Sequence, residues 1–254
     1  MGKHTIRFAS MLLALVMVAS LALTGMPMHA HAASDIVITV GPSGCDYTTI
    51  NDALNAVSNM SRSSGQRAII EIQPGNYEEM LYIDQDNITL RNASANPSIA
   101  LKNKGVDIDA NAVRITGYYG HGYNYYSMDS NYRYSASVLS SNKSKGSAST
   151  TNPGAGSATH WNATVVIAGD NFIAEDIIFE NSFNQYVSAK AAADTIVKAS
   201  GAKEGSTPRA NLSKGSTAVQ DKAYVERAAA LAIKNSTSQA SFDHCKFVGR
   251  QDTL

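Results

Sequence analysis

The sequence has little cysteine, no excess of positive charge and, beyond its first 33 residues, no long apolar run. Its two cysteines, Cys45 and Cys245, lie outside any motif for a nucleophile or a zinc ligand, and we expect two buried free thiols. Their separation along the chain neither forbids nor supports a disulfide. The 21 basic residues are balanced by 21 acidic ones, so the basic stripe of a nucleic-acid-binding protein is missing. We therefore expect no nucleic-acid partner.

The first 32 residues have the pattern of a secretory signal peptide. Lys3 and Arg7 precede an apolar run at 11–23, and Ala30-His31-Ala32 gives a small residue on either side of a cleavage position. The alternative is a membrane anchor, but about 13 apolar residues fall short of the ~20 that cross a bilayer. We expect removal of residues 1–32 and a secreted, extracellular protein with no membrane span.

Several common catalytic motifs are also missing. There is no Gly-x-Ser-x-Gly segment for a serine nucleophile and no Lys-containing loop that would hold a phosphate. His121, His160 and His244 form no His-Glu-x-x-His motif and no Cys/His cluster, so we expect no metal and no cofactor. His244 is interpreted as a turn residue. What remains is carboxylate and amide chemistry on a β surface.

Short strands dominate the pattern of apolar residues. One amphipathic helix is predicted within 46–60, where Thr49 and Asp52 resemble a capping box. The segments that follow are apolar strands bounded by Asn, Asp or Gly, notably 86–92, 111–117, 170–182 and 239–249. The first two are about 25 residues apart, which we interpret as one turn of a solenoid.

One of these segments changes the side on which its apolar residues lie. Phe242 is at an even position, whereas Cys245 and Phe247 are at odd positions. A flat strand keeps one parity, but a chain that bends between two sheets around a single interior changes it. This favours a parallel β-helix over an antiparallel sandwich, whose alternation would be more regular and whose hairpin turns would be closer together.

Two polar stretches interrupt the strands, at about 118–161 and 183–226, and are predicted to be long loop insertions. A helix is predicted at 189–198. The tyrosines of the first insertion could stack on sugar rings. Alternatively, the loop could pack on itself, and the sequence favours neither interpretation.

Four segments resemble, in order, the first part of the pectin methylesterase family. They are ITVGPSGCDYTTINDALNAV (38–57), IEIQPGNYEEMLYI (70–83), ATVVIAGDNFIAEDIIFENS (163–182) and ERAAALAIKNSTSQASFDHCKFVGRQDTL (226–254). The resemblance covers essentially all of residues 36–254. It implies an all-β fold, a right-handed parallel β-helix with a short N-terminal capping helix, truncated before the C-terminal rungs.

The resemblance also implies a reaction, hydrolysis of the methyl esters of galacturonate in pectin, with methanol and pectate as products. Asp252 would protonate the departing methanol and then activate water, which requires a carboxyl pKa raised by burial or by a neighbouring carboxylate. Gln251 would help to stabilise the oxyanion through its amide N–H. The implied partner is methyl-esterified pectin, bound by a monomer.

The sequence departs from the family pattern in three respects. Arg227 stands where most members have the glutamine that is the main oxyanion donor, and Arg250 stands where tyrosine is frequent; both are candidates for contacts with substrate. The nucleophilic aspartate, found in a Gly-Thr-Val-Asp-like segment after Gln-Asp-Thr-Leu, has no counterpart here. We therefore expect an incomplete copy of a longer enzyme, itself inactive, with an uncapped last rung.

Two other functions fit the sequence less closely. A non-catalytic β-helix that binds polysaccharide would keep the groove without the nucleophile. A pectate lyase or a polygalacturonase would require acidic calcium ligands or several clustered aspartates, and neither pattern is visible.

Overall fold

The structure is a computed structural model. It describes residues 34–120, 163–194, 212–218, 228–234, 237–250 and 253–254, together with the backbone of 123–125 and 196–198. The predicted signal peptide at 1–32 lies outside the described residues, as does most of the tyrosine-rich part of the first insertion.

Most strands of the described residues belong to three parallel sheets. Sheet 1 contains β1 (Ile36–Val40), β2 (Ala68–Ile72), β5 (Ile88–Asn92), β11 (Phe172–Glu175) and β15 (Ala240–Asp243). Sheet 2 contains β3 (Gly75–Glu78), β8 (Val113–Gly117), β12 (Ile177–Asn181) and β16 (Lys246–Val248). Sheet 3 contains β4 (Leu81–Ile83), β10 (Val165–Ile167) and β14 (Leu231–Ile233).

From β2 onward the chain visits the three sheets in rotation, and strands one turn apart in the same sheet pair in parallel. Parallel neighbours need crossover connections. The helix at Ile50–Ser58 lies in the crossover from β1 to β2, whereas the later crossovers contain strands of the other two sheets. Crossovers between parallel strands are right-handed in nearly all proteins. The prediction of a parallel β-helix with a short N-terminal helix is confirmed, and the sandwich is excluded for the part of the chain that the structure describes.

The length of one turn was wrongly predicted. The segments at 86–92 and 111–117 contain β5 and β8, which lie in different sheets of the same turn. Ala68 pairs with Ile88, so the shortest turn takes about 20 residues. A small excursion separates β5 from β8: β6 (Leu101–Lys102) and β7 (Asp107–Ile108) pair antiparallel around a 3₁₀ turn at Asn103–Gly105. The residues of this excursion add to the distance along the sequence between β5 and β8, which therefore resembled the length of one turn.

The change of parity within 239–249 is confirmed. β15 and β16 are separated by His244 and Cys245, and the positive φ of His244, 47°, turns the chain from sheet 1 to sheet 2. Phe242, Cys245 and Phe247 all pack against the same core although they lie on both parities. In that core the rings of Phe179 and Phe247 stack with centroids 5.6 Å apart.

The N-terminal helix α1 spans Ile50–Ser58 and buries the four positions that the periodicity indicated, Ile50, Ala53, Leu54 and Val57. The Thr49 hydroxyl accepts a hydrogen bond from the Asp52 amide, as expected of a helix N-cap. The Glu79 carboxylate accepts further bonds from the Ile50 and Asn51 amides, 3.0 Å each. These bonds attach the first turn of the helix to the end of β3.

The described parts of the two insertions contact each other. β9 (Tyr123–Tyr125) pairs antiparallel with β13 (Ile196–Lys198), and the Tyr118 hydroxyl donates a hydrogen bond to Asp194, 3.0 Å away. The helix predicted at 189–198 is too long: α2 spans only Ala189–Ala193, and the chain continues as a strand because it pairs with β9. Residues 183–188 are buried against sheet 2.

Candidate active site at the corner between sheets 2 and 3

The three predicted site residues Arg227, Gln251 and Asp252 lie outside the described residues, but their neighbours in the chain are placed. The Thr253 carbonyl accepts hydrogen bonds from the Ala230 amide at 3.0 Å and from the Leu231 amide at 3.3 Å. The segment that follows position 227 and the segment that follows position 252 therefore lie side by side. We refer to residues 228–231, 249–250 and 253 as the site corner.

Close packing fixes the site corner. Residues 228–230 are buried. A Cβ atom at Gly249 would lie 2.7 Å from Oγ1 of Thr253, so a larger residue at 249 would displace the Thr253 side chain. Arg250, the fourth predicted site residue, is half-buried at the same corner. The structure thus brings Arg250 and the described neighbours of the other three together.

Both long insertions leave the β-helix at this same edge. The first follows Gly117 at the end of β8, and the second follows Asn181 at the end of β12. The next turn crosses the edge through Gly249 and Arg250 and reaches Thr253 within a few residues. Loops at one edge of a rigid scaffold are the usual location of binding and catalytic residues.

A buried ionic network lies on the outer face of sheet 2, beneath the second insertion. Glu180 has no solvent exposure, and one of its carboxylate oxygens accepts hydrogen bonds from Tyr186 at 2.6 Å and Thr116 at 2.8 Å. The Arg114 guanidinium lies 3.3 Å from the same oxygen. Burial raises the pKa of Glu180, and the charge of Arg114 opposes this rise.

Arg114 joins this network to the neighbouring excursion. It donates to the carbonyls of Gly105 at 2.6 Å and Val106 at 3.1 Å, and its guanidinium lies 5.3 Å from the centre of the Tyr186 ring. One strand earlier, Glu78 accepts a hydrogen bond from Ser188. Burial also raises the pKa of Glu78.

A cavity of about 480 Å³ opens beside this network. It is lined by residues of β3, β8, the excursion and the second insertion, among them Asn76, Glu78, Asp107, Arg114, Tyr186 and Ser188. This network was not predicted from the sequence. The sequence does show one charged residue in each of two mostly apolar strands, Arg114 in β8 and Glu180 in β12. Only the register of the two strands shows that these residues meet.

The cysteines and His244 lie outside the candidate site. Both cysteines are free thiols, but they are half-buried rather than buried as expected. Burial raises the pKa of Cys245 to about 11. His244 occupies a turn, as expected, and pairs with Asp176. Within the described ranges, no group of three or more His, Cys, Asp or Glu residues could hold a metal ion. None of the helices placed there has the length and apolarity needed to cross a membrane.

Solved structures similar to this chain include pectin methylesterases. For the pectin methylesterase PemA of Erwinia chrysanthemi, identity is 19%, the TM-score is 0.47, and the match covers 88% of this chain and 46% of that protein. For the enzyme of Aspergillus niger the values are 24%, 0.43, 86% and 44%. A pectin methylesterase in complex with a hexasaccharide gives 20%, 0.48, 87% and 46%.

The chain therefore spans less than half the length of each of these proteins. Their family is the one that the sequence resembles. No protein-family model and no curated protein sequence matches the chain.

Proposed function

We propose that this protein is a secreted carboxylic ester hydrolase that removes methyl groups from the galacturonate methyl esters of pectin. The observation that carries the proposal is the meeting of two segments at the site corner. The segment ERAAAL (226–231) and the segment GRQDTL (249–254) both carry the resemblance to pectin methylesterases. Their described residues Ala230 and Thr253 are hydrogen-bonded neighbours.

The proposed reaction consumes water: it breaks the bond between the acyl carbon and the methoxy oxygen, forms a bond between that carbon and the oxygen of water, and yields a carboxylate, a proton and methanol. Asp252 donates a proton to the methoxy oxygen as that bond breaks and recovers a proton from the water that enters. General acid and base catalysis of this kind contributes roughly 10²- to 10⁴-fold to a rate. Gln251 donates an amide N–H to the oxygen that becomes negatively charged.

The two arginines are proposed to contact the substrate. Pectin carries carboxylate groups wherever its methyl esters have been removed, and a guanidinium binds a carboxylate through two parallel hydrogen bonds. Arg250 lies at the site corner, and Arg227 directly precedes the buried segment 228–230 in the sequence. Arg227 stands where the family has its main oxyanion donor, so it could also donate to the oxyanion.

The arginine at position 227, where the family has glutamine, favours a second candidate function: binding of polysaccharide without catalysis. An arginine where an enzyme holds a neutral amide would still bind an acidic glycan, even if it could not support the reaction. The two functions differ in one measurable product, methanol.

The test uses the product of the complete reading frame and its Asp252→Asn variant. Asp243→Asn is the matched control, because Asp243 is an exposed aspartate at the end of β15. We expect Asp252→Asn to lower methanol release at least about 100-fold and to retain binding to methylated pectin. The control should retain both. Binding by the unmodified protein without methanol release would establish the binding function instead, and a protein that does neither would contradict both.

A further inference from the structure

A single buried amide joins three separate segments of the chain at the site corner. Asn181 ends β12 and is 1% exposed. Its Oδ1 accepts a hydrogen bond from the Phe183 amide at 3.0 Å, where the second insertion begins. Its Nδ2 donates to the Tyr119 carbonyl at 3.1 Å, where the first insertion begins, and to the Ala229 carbonyl at 3.3 Å, where the second insertion returns.

The bond to Ala229 is one step from the described part of the candidate site. The Ala229 carbonyl also accepts from the Thr164 amide at 3.0 Å, which attaches it to the preceding turn. The next residue, Ala230, donates its amide to Thr253. Asn181 therefore helps to fix the position and orientation of residues 229–231, of which Ala230 and Leu231 donate their amides to the Thr253 carbonyl.

The same arrangement occurs once more among the described residues, away from the site corner. Asn92 ends β5, is 4% exposed, and its Oδ1 accepts from the Ser94 amide at 2.9 Å. Its Nδ2 donates to the Asn111 carbonyl at 2.8 Å and, at 3.5 Å, to the Asp176 carbonyl. Asn92 lies at the corner between sheets 1 and 2, so it performs the same structural task without contact with residues 228–231.

We propose that Asn181 is a positioning residue: its side-chain amide holds Ala229, and through it the pairing of Ala230 with Thr253, in the geometry that the reaction requires. This inference rests on the proposed function, since Thr253 directly follows Asp252 and Ala229 lies two residues after Arg227. A misplacement of about 1 Å at a catalytic group can cost on the order of 100-fold in rate. Removing a buried donor also leaves a carbonyl with fewer partners.

Two substitutions separate the functions of the Asn181 side chain. Asn181→Asp keeps an oxygen that can accept from the Phe183 amide but loses the bonds donated to the Tyr119 and Ala229 carbonyls. Asn181→Ala loses these two bonds and the bond from the Phe183 amide. Asn92→Asp and Asn92→Ala are the matched controls, since each removes bonds of the same kinds from another buried strand end.

The first readout is amide hydrogen exchange of the intact protein, which requires no activity. We expect both Asn181 variants to accelerate exchange in the peptide that contains Ala230 and Leu231 by about 10-fold or more, because opening of that pairing becomes easier. The Asn92 variants should leave that peptide unchanged and accelerate exchange near Ser94. Unchanged exchange at Ala230 and Leu231 in a folded Asn181→Asp protein would overturn the proposal.

The second readout is the kinetics of methanol release from methylated pectin. We expect the Asn181 variants to lower kcat roughly 10- to 100-fold with little change in KM, while the Asn92 variants stay close to the unmodified protein. Equal losses for the two asparagines would show that Asn181 is merely structural and would refute its positioning role. If the unmodified protein releases no methanol, the proposed function fails, and hydrogen exchange alone decides whether Asn181 fixes the corner.

Discussion

Replacing Arg114 by methionine tests the most buried ionic network of the described chain. Methionine fills a similar length without a charge, so Glu180 would lose its cation and the carbonyls of Gly105 and Val106 would lose their donors. Removing one partner of a buried ion pair typically costs about 3–5 kcal/mol of folding free energy, because the other charge stays buried. We expect a cost in this range at neutral pH.

The cost should depend on pH, and the sign follows from Glu180. Burial raises its pKa in the folded protein, while Arg114 lowers it and Glu78 raises it further. Consider a carboxyl group whose pKa is higher in the folded than in the unfolded protein, where it is about 4.3. Such a group lowers the free energy of unfolding as the pH increases from the unfolded-state pKa to the folded-state pKa. Arg114→Met removes the lowering influence, so its cost should be smaller at about pH 4.5 than at about pH 7.5.

The measurement is urea unfolding followed by circular dichroism at both pH values, with Arg91→Met as the matched control. Arg91 contacts Glu71 and Glu175 on the outer face of sheet 1, but its side chain is 37% exposed. Exposed ion pairs contribute only about 0–1 kcal/mol, so the control should cost little at either pH. Equal costs for the two arginines, or a cost for Arg114→Met that does not change with pH, would refute this reasoning.

Two further predictions concern packing inside the β-helix. Phe179→Ala should cost about 3–5 kcal/mol in urea unfolding, because the ring is fully buried and stacked on a neighbour, whereas Phe247→Ala, at a half-buried ring, should cost less. A larger loss at Phe247 would contradict the description of the core. Gly169→Ala should lower the unfolding free energy by about 1–3 kcal/mol or more, because the new Cβ atom would overlap the Gln85 carbonyl. Gly75→Ala, whose nearest new contact is 3.4 Å away, should stay within about 0.5 kcal/mol of the unmodified protein; similar effects of the two alanines would show that the close approach at Gly169 is not real.

Features encoded locally could be predicted from the sequence. Thr49 caps α1 as predicted because an N-cap depends on residues within one helical turn. The change of parity at His244 identified the bend between two sheets for a similar reason, since inward-pointing side chains must follow the turn of the backbone.

Features that depend on register and on connections between turns could not be predicted in the same way. The excursion at Asn103–Gly105 lengthened one turn and imitated a repeat. Arg114 and Glu180 meet only because β8 and β12 pair in one particular register. The site corner required both kinds of information: the resemblance identified GRQDTL, and the closing of one turn placed Thr253 beside Ala230.

The most direct test of the central claim is to measure both products of the reaction on methylated polygalacturonate with the product of the complete reading frame. Methanol release and the length of the polysaccharide chain should be followed in the same sample. Our account predicts methanol and new carboxylates in equal amounts, with no shortening of the chain, because only the methyl ester bond is broken. Shortened chains without methanol would indicate a lyase or a glycosidase and would contradict the account.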